Sequence, residues 1–227
     1  PISFIHESKE QTVLIQNTLI LTNGVISKQL IQNQPMSNIF NVVAPFANKV
    51  EDGAFEDQKM LRYVYMPMLV EVGKKSFSYC ENLRQVVGNC LKKIGVKAFE
   101  YNYNLERVNV QNVEKLNNNA FFYSGLSVLV SGCRQIANQA IVWNKQLEQL
   151  DLENLKEFDA DLIDRCDNLK QIRMPHLEKL TGKLPEHVQI TADSSDILKK
   201  DRQIIDSLDP HFRFKGLNKL ILKIVED

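Results

Sequence analysis

Paired cysteines are missing from this chain. Its four cysteines, Cys80, Cys90, Cys133 and Cys166, form no CxxC pair and no zinc-like spacing. Spacing therefore gives no disulfide framework or zinc ribbon, and the four are expected as buried free thiols packing as small hydrophobes. Charge of one sign is missing too: 28 Lys+Arg stand against 28 Asp+Glu, where a phosphate-gripping surface would carry a basic excess. No apolar run reaches the roughly 18 to 20 residues of a membrane span. The longest, Leu217 to Val225, is broken by Lys219 and Lys223, and no Asn-x-Ser/Thr sequon occurs. The chain opens on Pro1, which reads as a trimmed start, so the lack of a signal peptide decides nothing.

Catalytic signatures are lacking as well. His6, His176, His187 and His211 are scattered, without an HExxH. No Gly-rich phosphate loop follows a strand, and no Ser, Cys or Lys sits in a nucleophile motif. Asp159, Asp161 and Asp164 lack the glycine and distal glutamate of a calcium loop. Like Asn117, Asn118 and Asn119, they read as turn residues. The expectation is a chain that is not an enzyme and needs no cofactor and no metal.

What the sequence does contain is a repeat. Small-Phe recurs as Ala54-Phe55, Ser76-Phe77, Ala98-Phe99 and Ala120-Phe121, then as Ala140-Ile141 and Asp161-Leu162. A leucine column (Leu61, Leu83, Leu105, Leu126, Leu147, Leu169) is followed three residues later by Val64, Val86, Val108, Leu129, Leu150 and Ile172, and Ile39 with Val42 extends it upstream. Two further apolar columns keep step: Val50, Val72, Ile94, Leu116, Ile136, Phe158, Leu180, and Ala47, Leu69, Leu91, Val113, Cys133, Leu155, Leu177. Locked columns at such a period are the signature of a solenoid, in which each unit buries its apolar side only against its neighbours. The stretch Leu61 to Met66 alternates like a short strand, with Val64 and Met66 inward and Tyr63 and Tyr65 outward. Stacking places these strands about 4.8 Å apart in a parallel sheet. Ile and Leu in the later Phe positions imply a slimmer cross-section there. Gly73, Gly95, Asn117 and Asp159 follow the Val72 column, and their tolerance of positive φ predicts a tight turn at that point. Ser76 to Leu83, Ala98 to Leu105 and Ala140 to Leu147 are expected as one helical turn or coil on the convex side.

These strings, notably Ser76-Phe77-Ser78-Tyr79-Cys80-Glu81-Asn82-Leu83 and Lys93-Ile94-Gly95-Val96-Lys97-Ala98-Phe99, resemble the BspA-like leucine-rich repeat family over residues 39 to 190. The family's Cys position is filled at Cys80 and Cys166, with Asn102, Ser124 and Asn144 between, and its proline after the strand at Pro45, Pro67 and Pro175. The resemblance implies a curved right-handed solenoid and no catalytic residues. It also implies a place among surface proteins, commonly microbial or protozoan, that adhere to host proteins.

The ends need caps. Thr12 to Ile15 and Thr18 to Thr22 read as strands, and Asn23-Gly24 as a hairpin signal. Val188 to Ile190 reads as the strand of a last, truncated repeat. Ile197, Leu198, Ile204, Ile205 and Leu208 share one helical face, stopped by Asp209-Pro210, and Leu217, Leu220, Ile221, Ile224 and Val225 another. The expected fold is an α/β leucine-rich-repeat right-handed solenoid with a parallel β-sheet on the concave face, a β-rich N-terminal cap and a helical C-terminal cap. Its parts are residues 1–38, a solenoid of roughly seven repeats over 39–190, and 191–227.

The outward strand positions form two columns on that sheet. The central one runs Val43, Tyr65, Val87, Asn109, Val130, Asp151, Arg173, and its neighbour Asn41, Tyr63, Gln85, Arg107, Val128, Gln149, Gln171. A solvated sheet face would be largely polar, whereas Tyr63, Tyr65, Val87, Val128 and Val130 place apolar surface there beside Arg107. Tyr and Arg are common interface anchors, and contiguous exposed apolar surface marks a partner site. Seven strands span roughly 30 Å, which suits a protein or an extended peptide. The candidate partner-binding set is Tyr63, Tyr65, Gln85, Val87, Arg107, Asn109, Val128, Val130, Gln149, Asp151 and Arg173. Nucleic acid is not expected as a partner, and a homo-oligomer is an open alternative. The two functional expectations are a cell-surface or secreted recognition module and a cytoplasmic scaffold.

Overall fold

The computed structural model describes residues 12–191. In chain order its strands begin β1 (Thr12–Ile15), β2 (Thr18–Leu21), β3 (Val25–Ile26), β4 (Asn41–Val43), β5 (Lys49–Val50), β6 (Tyr63–Tyr65), β7 (Glu71–Val72), β8 (Gln85–Val87) and β9 (Lys93–Ile94). They continue with β10 (Arg107–Val108), β11 (Lys115–Leu116), β12 (Val128–Ser131), β13 (Gln135–Ile136), β14 (Gln149–Leu152), β15 (Glu157–Asp159), β16 (Gln171–Arg173), β17 (Lys179–Thr181) and β18 (Gln189–Thr191).

The strands wind into a parallel β-solenoid of about eight turns with little helix. Helix is confined among the described residues to one short segment, α1 (Lys28–Gln32), and to 3-10 turns at Met36–Asn38 and Ala160–Ile163. The Ser27 hydroxyl caps α1 by accepting from the Leu30 amide at 3.1 Å. The α/β class expected from sequence is therefore corrected to a β-solenoid for these residues. The expected helical C-terminal cap lies in 192–227, outside the described residues.

Three lines of backbone hydrogen bonds tie successive coils. The first ladder runs β2-β4-β6-β8-β10, with β1 antiparallel against β2, and resumes as β12-β14-β16-β18 across a single bridge from Val110 to Ser131. The second runs β3-β5-β7-β9 and then in pairs, β11-β13 and β15-β17. The third has no strands. Phe55 N–H donates to Ser76 O (2.7 Å), Phe77 N–H to Ala98 O (2.9 Å), Phe99 N–H to Ala120 O (2.9 Å) and Phe121 N–H to Ala140 O (2.8 Å).

In this third line the residues on either side of each phenylalanine bond locally instead. Ser76 N–H turns back to Gly73 O and Ser78 N–H to Lys75 O, while Lys75, Phe77 and Tyr79 bond onward to Val96, Ala98 and Glu100. Alternate amides committed to the next coil cannot close i→i−4 bonds, which is why no helical turn forms here. The same alternation sets positive φ at Lys75 (54°), Lys97 (60°), Asn119 (56°) and Gln139 (59°).

That pattern corrects the expected turn at Gly73 and Gly95, which do not have positive φ. They are glycine because the backbones touch: a Cβ on Gly95 would stand 2.5 Å from Gly73 C and Lys74 N. Asn23-Gly24 is also not the hairpin turn. Ile15 pairs with Thr18, so Gln16-Asn17 turns the chain, with Gln16 at φ 53°.

The core is the stack of columns. Phe55, Phe77, Phe99 and Phe121 are fully buried, with ring centroids 5.0, 5.4 and 5.2 Å apart and planes within 6° of parallel. The spacing is close to the rise between coils, so each ring lies over the next. Burying each contributes about 2–3 kcal/mol. Beside this ladder the Cys80 thiol donates to Phe55 O (2.9 Å) and the Cys166 thiol to Ile141 O (3.3 Å), and the Asn144 side-chain amide donates to Phe121 O (2.8 Å). At this position Cys80, Asn144 and Cys166 each donate to a carbonyl of the preceding coil, while the Ser124 hydroxyl donates to Asn144 Oδ1 of the next coil. Cys80, Cys133 and Cys166 are buried, but Cys90 is exposed, which corrects the expectation of four buried thiols.

Candidate protein-binding surface

The first ladder positions the candidate residues by register. Asn41, Tyr63, Gln85 and Arg107 pair in one row, and Val43, Tyr65 and Val87 in another. Beyond the bridge, Val128 pairs with Gln149 and Gln171, and Val130 with Asp151 and Arg173. Each column read from sequence is therefore a row of paired neighbours on either side of that bridge, interrupted between β10 and β12, and Asn109 lies outside the strands.

Their exposure is uneven. Tyr63, Tyr65, Gln85, Asn109, Val128, Val130 and Gln149 are half-buried and Arg107 is exposed. Val87 (8%), Asp151 (4%) and Arg173 (7%) are buried. Val43 is fully buried, so the central column opens only from Tyr65 onward. Partial burial pushes the Tyr65 phenol above its ordinary pKa. At the other end Arg173 Nη1 donates to both carboxylate oxygens of Asp151, at 2.9 and 3.1 Å. That pair satisfies two buried charges against each other and pins β16 to β14. It does not present a free charge to a guest.

The sequence reading missed a second surface. The positive-φ position two residues after each core phenylalanine holds Tyr79 (60°), Tyr101 (58°), Tyr123 (53°) and, after Ile141, Trp143 (66°). A bulky side chain is costly in the left-handed region, where Gly or Asn would be at ease. Four successive coils nevertheless place an aromatic there. Tyr79 stacks on Tyr101 at 4.7 Å, Tyr101 lies 6.1 Å from Tyr123, and Tyr123 5.5 Å from Trp143. Tyr103 meets Tyr123 edge-on at 5.1 Å, and Phe122 meets Tyr101 at 5.5 Å. Lys145 and Arg165 sit over the Trp143 ring at 5.3 and 5.5 Å. Tyr79 and Tyr103 are exposed. The signal was in the sequence, as an aromatic at Phe-plus-two in three consecutive repeats, but its meaning depends on a backbone conformation that no pattern announced.

The remaining candidates keep ordinary roles. The Asp159 carboxylate caps the 3-10 turn by accepting from the Asp161 amide at 3.0 Å. The Asn117 side-chain amide donates to Ile94 O at 2.7 Å. Among the described residues no group of His, Cys, Asp and Glu could hold a metal ion, and no helix is long and apolar enough to cross a membrane.

Against known proteins, the family described as the BspA type leucine rich repeat region matches residues 29–127, in six copies. No curated protein matches significantly. Among solved structures, a leucine rich cell surface protein from Faecalibacterium prausnitzii is 13% identical, with 82% of this chain and 75% of that one covered, at a TM-score of 0.42. A leucine-rich repeat protein from Bacteroides ovatus is 16% identical, covering 81% of this chain and 54% of its own length, at 0.47. The leucine rich repeat protein of T. pallidum is 18% identical, covering 90% and 94%, at 0.41. This chain spans about half the length of the Bacteroides protein. Residues 29–127 of this chain are thus similar to the BspA type leucine rich repeat region.

Proposed function

We propose that this chain is a non-enzymatic module that holds a protein or an extended peptide on the outward face of its first ladder, as a recognition or adhesion element at a cell surface. The observation that carries it is the open stretch from Tyr63 and Tyr65 through Arg107 to Val128 and Val130, where two tyrosines and two valines share one face with a cation. Such a mix of rigid aromatic area and a planar cation is typical of the residues that dominate interface energies. Stacked repeats supply this kind of broad surface without needing a pocket.

The test uses the immobilised chain, its captured protein partner and the pair Tyr63→Ala/Tyr65→Ala. A charge at Val87 is avoided, because that side chain is buried. Each tyrosine at a hot spot is worth about 2 kcal/mol or more, so affinity should fall by well over tenfold with the melting temperature kept. A folded double variant that binds as tightly as wild type removes the assignment.

A second reading places the partner on the aromatic ridge, and the positive-φ strain at Tyr79, Tyr101, Tyr123 and Trp143 favours it. Tyr79→Ala/Tyr103→Ala then weakens capture while Tyr63→Ala/Tyr65→Ala leaves it intact.

A further inference from the structure

The second ladder is interrupted twice, and the two interruptions differ. Between β9 and β11 strand pairing fails, but the Asn117 side-chain amide reaches Ile94 O at 2.7 Å and bridges the coils in its place. Between β13 and β15 pairing fails with no such bridge. The amides of Gly73, Gly95 and Ala137 each bond to the preceding coil. Asp159, which occupies the same place one coil later, turns its side chain to the Asp161 amide instead. The coils rejoin where the Cys166 thiol donates to Ile141 O at 3.3 Å and Trp143 N–H to Asp164 O at 2.9 Å. Between these points lies a cleft of about 1730 Å³, walled by Arg134–Gln139 on one side and Leu155–Cys166 on the other.

The walls specify an occupant. In a parallel ladder successive residues turn their backbone groups alternately to the two neighbouring strands. With the Arg134 and Ala137 amides bonded to the preceding coil, the opposite edge of β13 turns the Ile136 N–H and C=O toward the cleft, where another extended backbone can meet them. The floor is apolar: Ile136 is half-buried where Val72, Ile94 and Leu116 in its column are buried, and Phe158 stands on the facing wall. The first rim is basic, with Lys115 and Arg134, and the second is mixed, with Asp161 and Asp164 beside Lys156 and Arg165.

We propose that this cleft takes an extended peptide strand from a partner protein, added to the exposed edge of β13. The guest places a branched apolar side chain over Ile136 and an acidic one toward Lys115 and Arg134. Strand addition gives affinity through main-chain bonds and selectivity through alternate side chains. The site is separate from the first-ladder face and stands or falls without it.

The experiment is amide hydrogen exchange on the full chain, with pooled blocked octapeptides of alternating Val and Thr carrying one Glu and one Lys in every arrangement. Exchange of the Ile136 amide should slow at least about tenfold at millimolar peptide, because bonded edge amides open far less often. The Arg134 and Ala137 amides, already bonded to the preceding coil, should stay as they are. The same peptides with alternate backbone nitrogens methylated should do nothing, and this control leaves the protein untouched. Asp159→Asn copies the Asn117 bridge, which should close the cleft and remove the peptide effect without lowering the melting temperature. The variant Tyr63→Ala/Tyr65→Ala should respond as wild type. The proposal is overturned if no pool slows exchange of the Ile136 amide, if methylated peptides act equally, or if protection appears elsewhere instead. It is equally overturned if the Ile136 amide is already protected without peptide, which would mean that the chain itself or a second copy fills the cleft.

Discussion

Residues 39–127 and residues 128–191 build the same coil from different materials. In the first stretch the core phenylalanines recur every 22 residues, and all three hydrogen-bond lines run without a gap as far as β9. In the second, Ile141 and Leu162 replace phenylalanine, the spacing of that column shortens and the cleft opens, although the second ladder is already broken between β9 and β11 in the first. The first ladder crosses the junction on a single bridge and then continues through β18. The breaks in the second ladder do not follow repeat length: Ile94 and Leu116 lie 22 residues apart and their strands do not pair, whereas Leu116 and Ile136 lie 20 apart and theirs do.

The sharpest way to break this comparison is to cut one ring from each half. Phe99→Ala should cost about 3–5 kcal/mol, the usual range for a buried phenylalanine, and Ile141→Ala nearer to about 2 kcal/mol, since the coil beside the cleft has room to relax. Denaturant midpoints check both, and equal losses would mean that the halves are packed alike. Removing one charge from the second half comes next. Arg173→Met strands Asp151 and should cost about 3 kcal/mol, while Asp151→Leu/Arg173→Met should recover most of that. A double variant no better than the single would show that the pair does more than satisfy itself.

Backbone contact in the regular half gives a smaller effect. Gly95→Ala pushes a methyl into Gly73 and should cost about 1–3 kcal/mol. Gly24→Ala, with nothing within 4 Å, should stay within about 0.5 kcal/mol of wild type. The smallest effect is alkaline. Burial pushes the Cys80 thiol far up and the Cys166 thiol up to about 12, from an ordinary 9.0. Their contribution is complete below about 9 and is lost as pH rises from there toward 12, because the unfolded thiols ionise first. Cys166→Ala should flatten that decline in a pH series of melting curves. Thiol reagents should label Cys90 in the native chain and spare Cys80, Cys133 and Cys166.

The columns were legible in the sequence because burial leaves its mark at every repeat: Leu61, Leu83 and Leu105 can be read without knowing a single dihedral. The rows Tyr63–Gln85–Arg107 and Tyr65–Val87 followed from them. What could not be read is how the backbone spends its amides. Gly73 and Gly95 looked like turn glycines, although a close approach between coils requires them. Asn23-Gly24 carried the stronger hairpin signal, yet Gln16-Asn17 made the turn, since register with β4 fixed where β2 had to begin. The burial of Val87, Asp151 and Arg173 was also hidden, because alternation assigns a face and not its depth. The cleft left no trace in the spacing, since Ile136 and Phe158 stand the usual 22 residues apart on either side of it.

Trp143 is the sole tryptophan in the chain, and it stands at one end of a file of tyrosines beneath two cations. Light absorbed by Tyr79, Tyr101 and Tyr123 can therefore pass along the file and leave as indole emission. The ratio of tyrosine to tryptophan fluorescence becomes an intrinsic gauge of whether neighbouring coils are still in step, with no label attached.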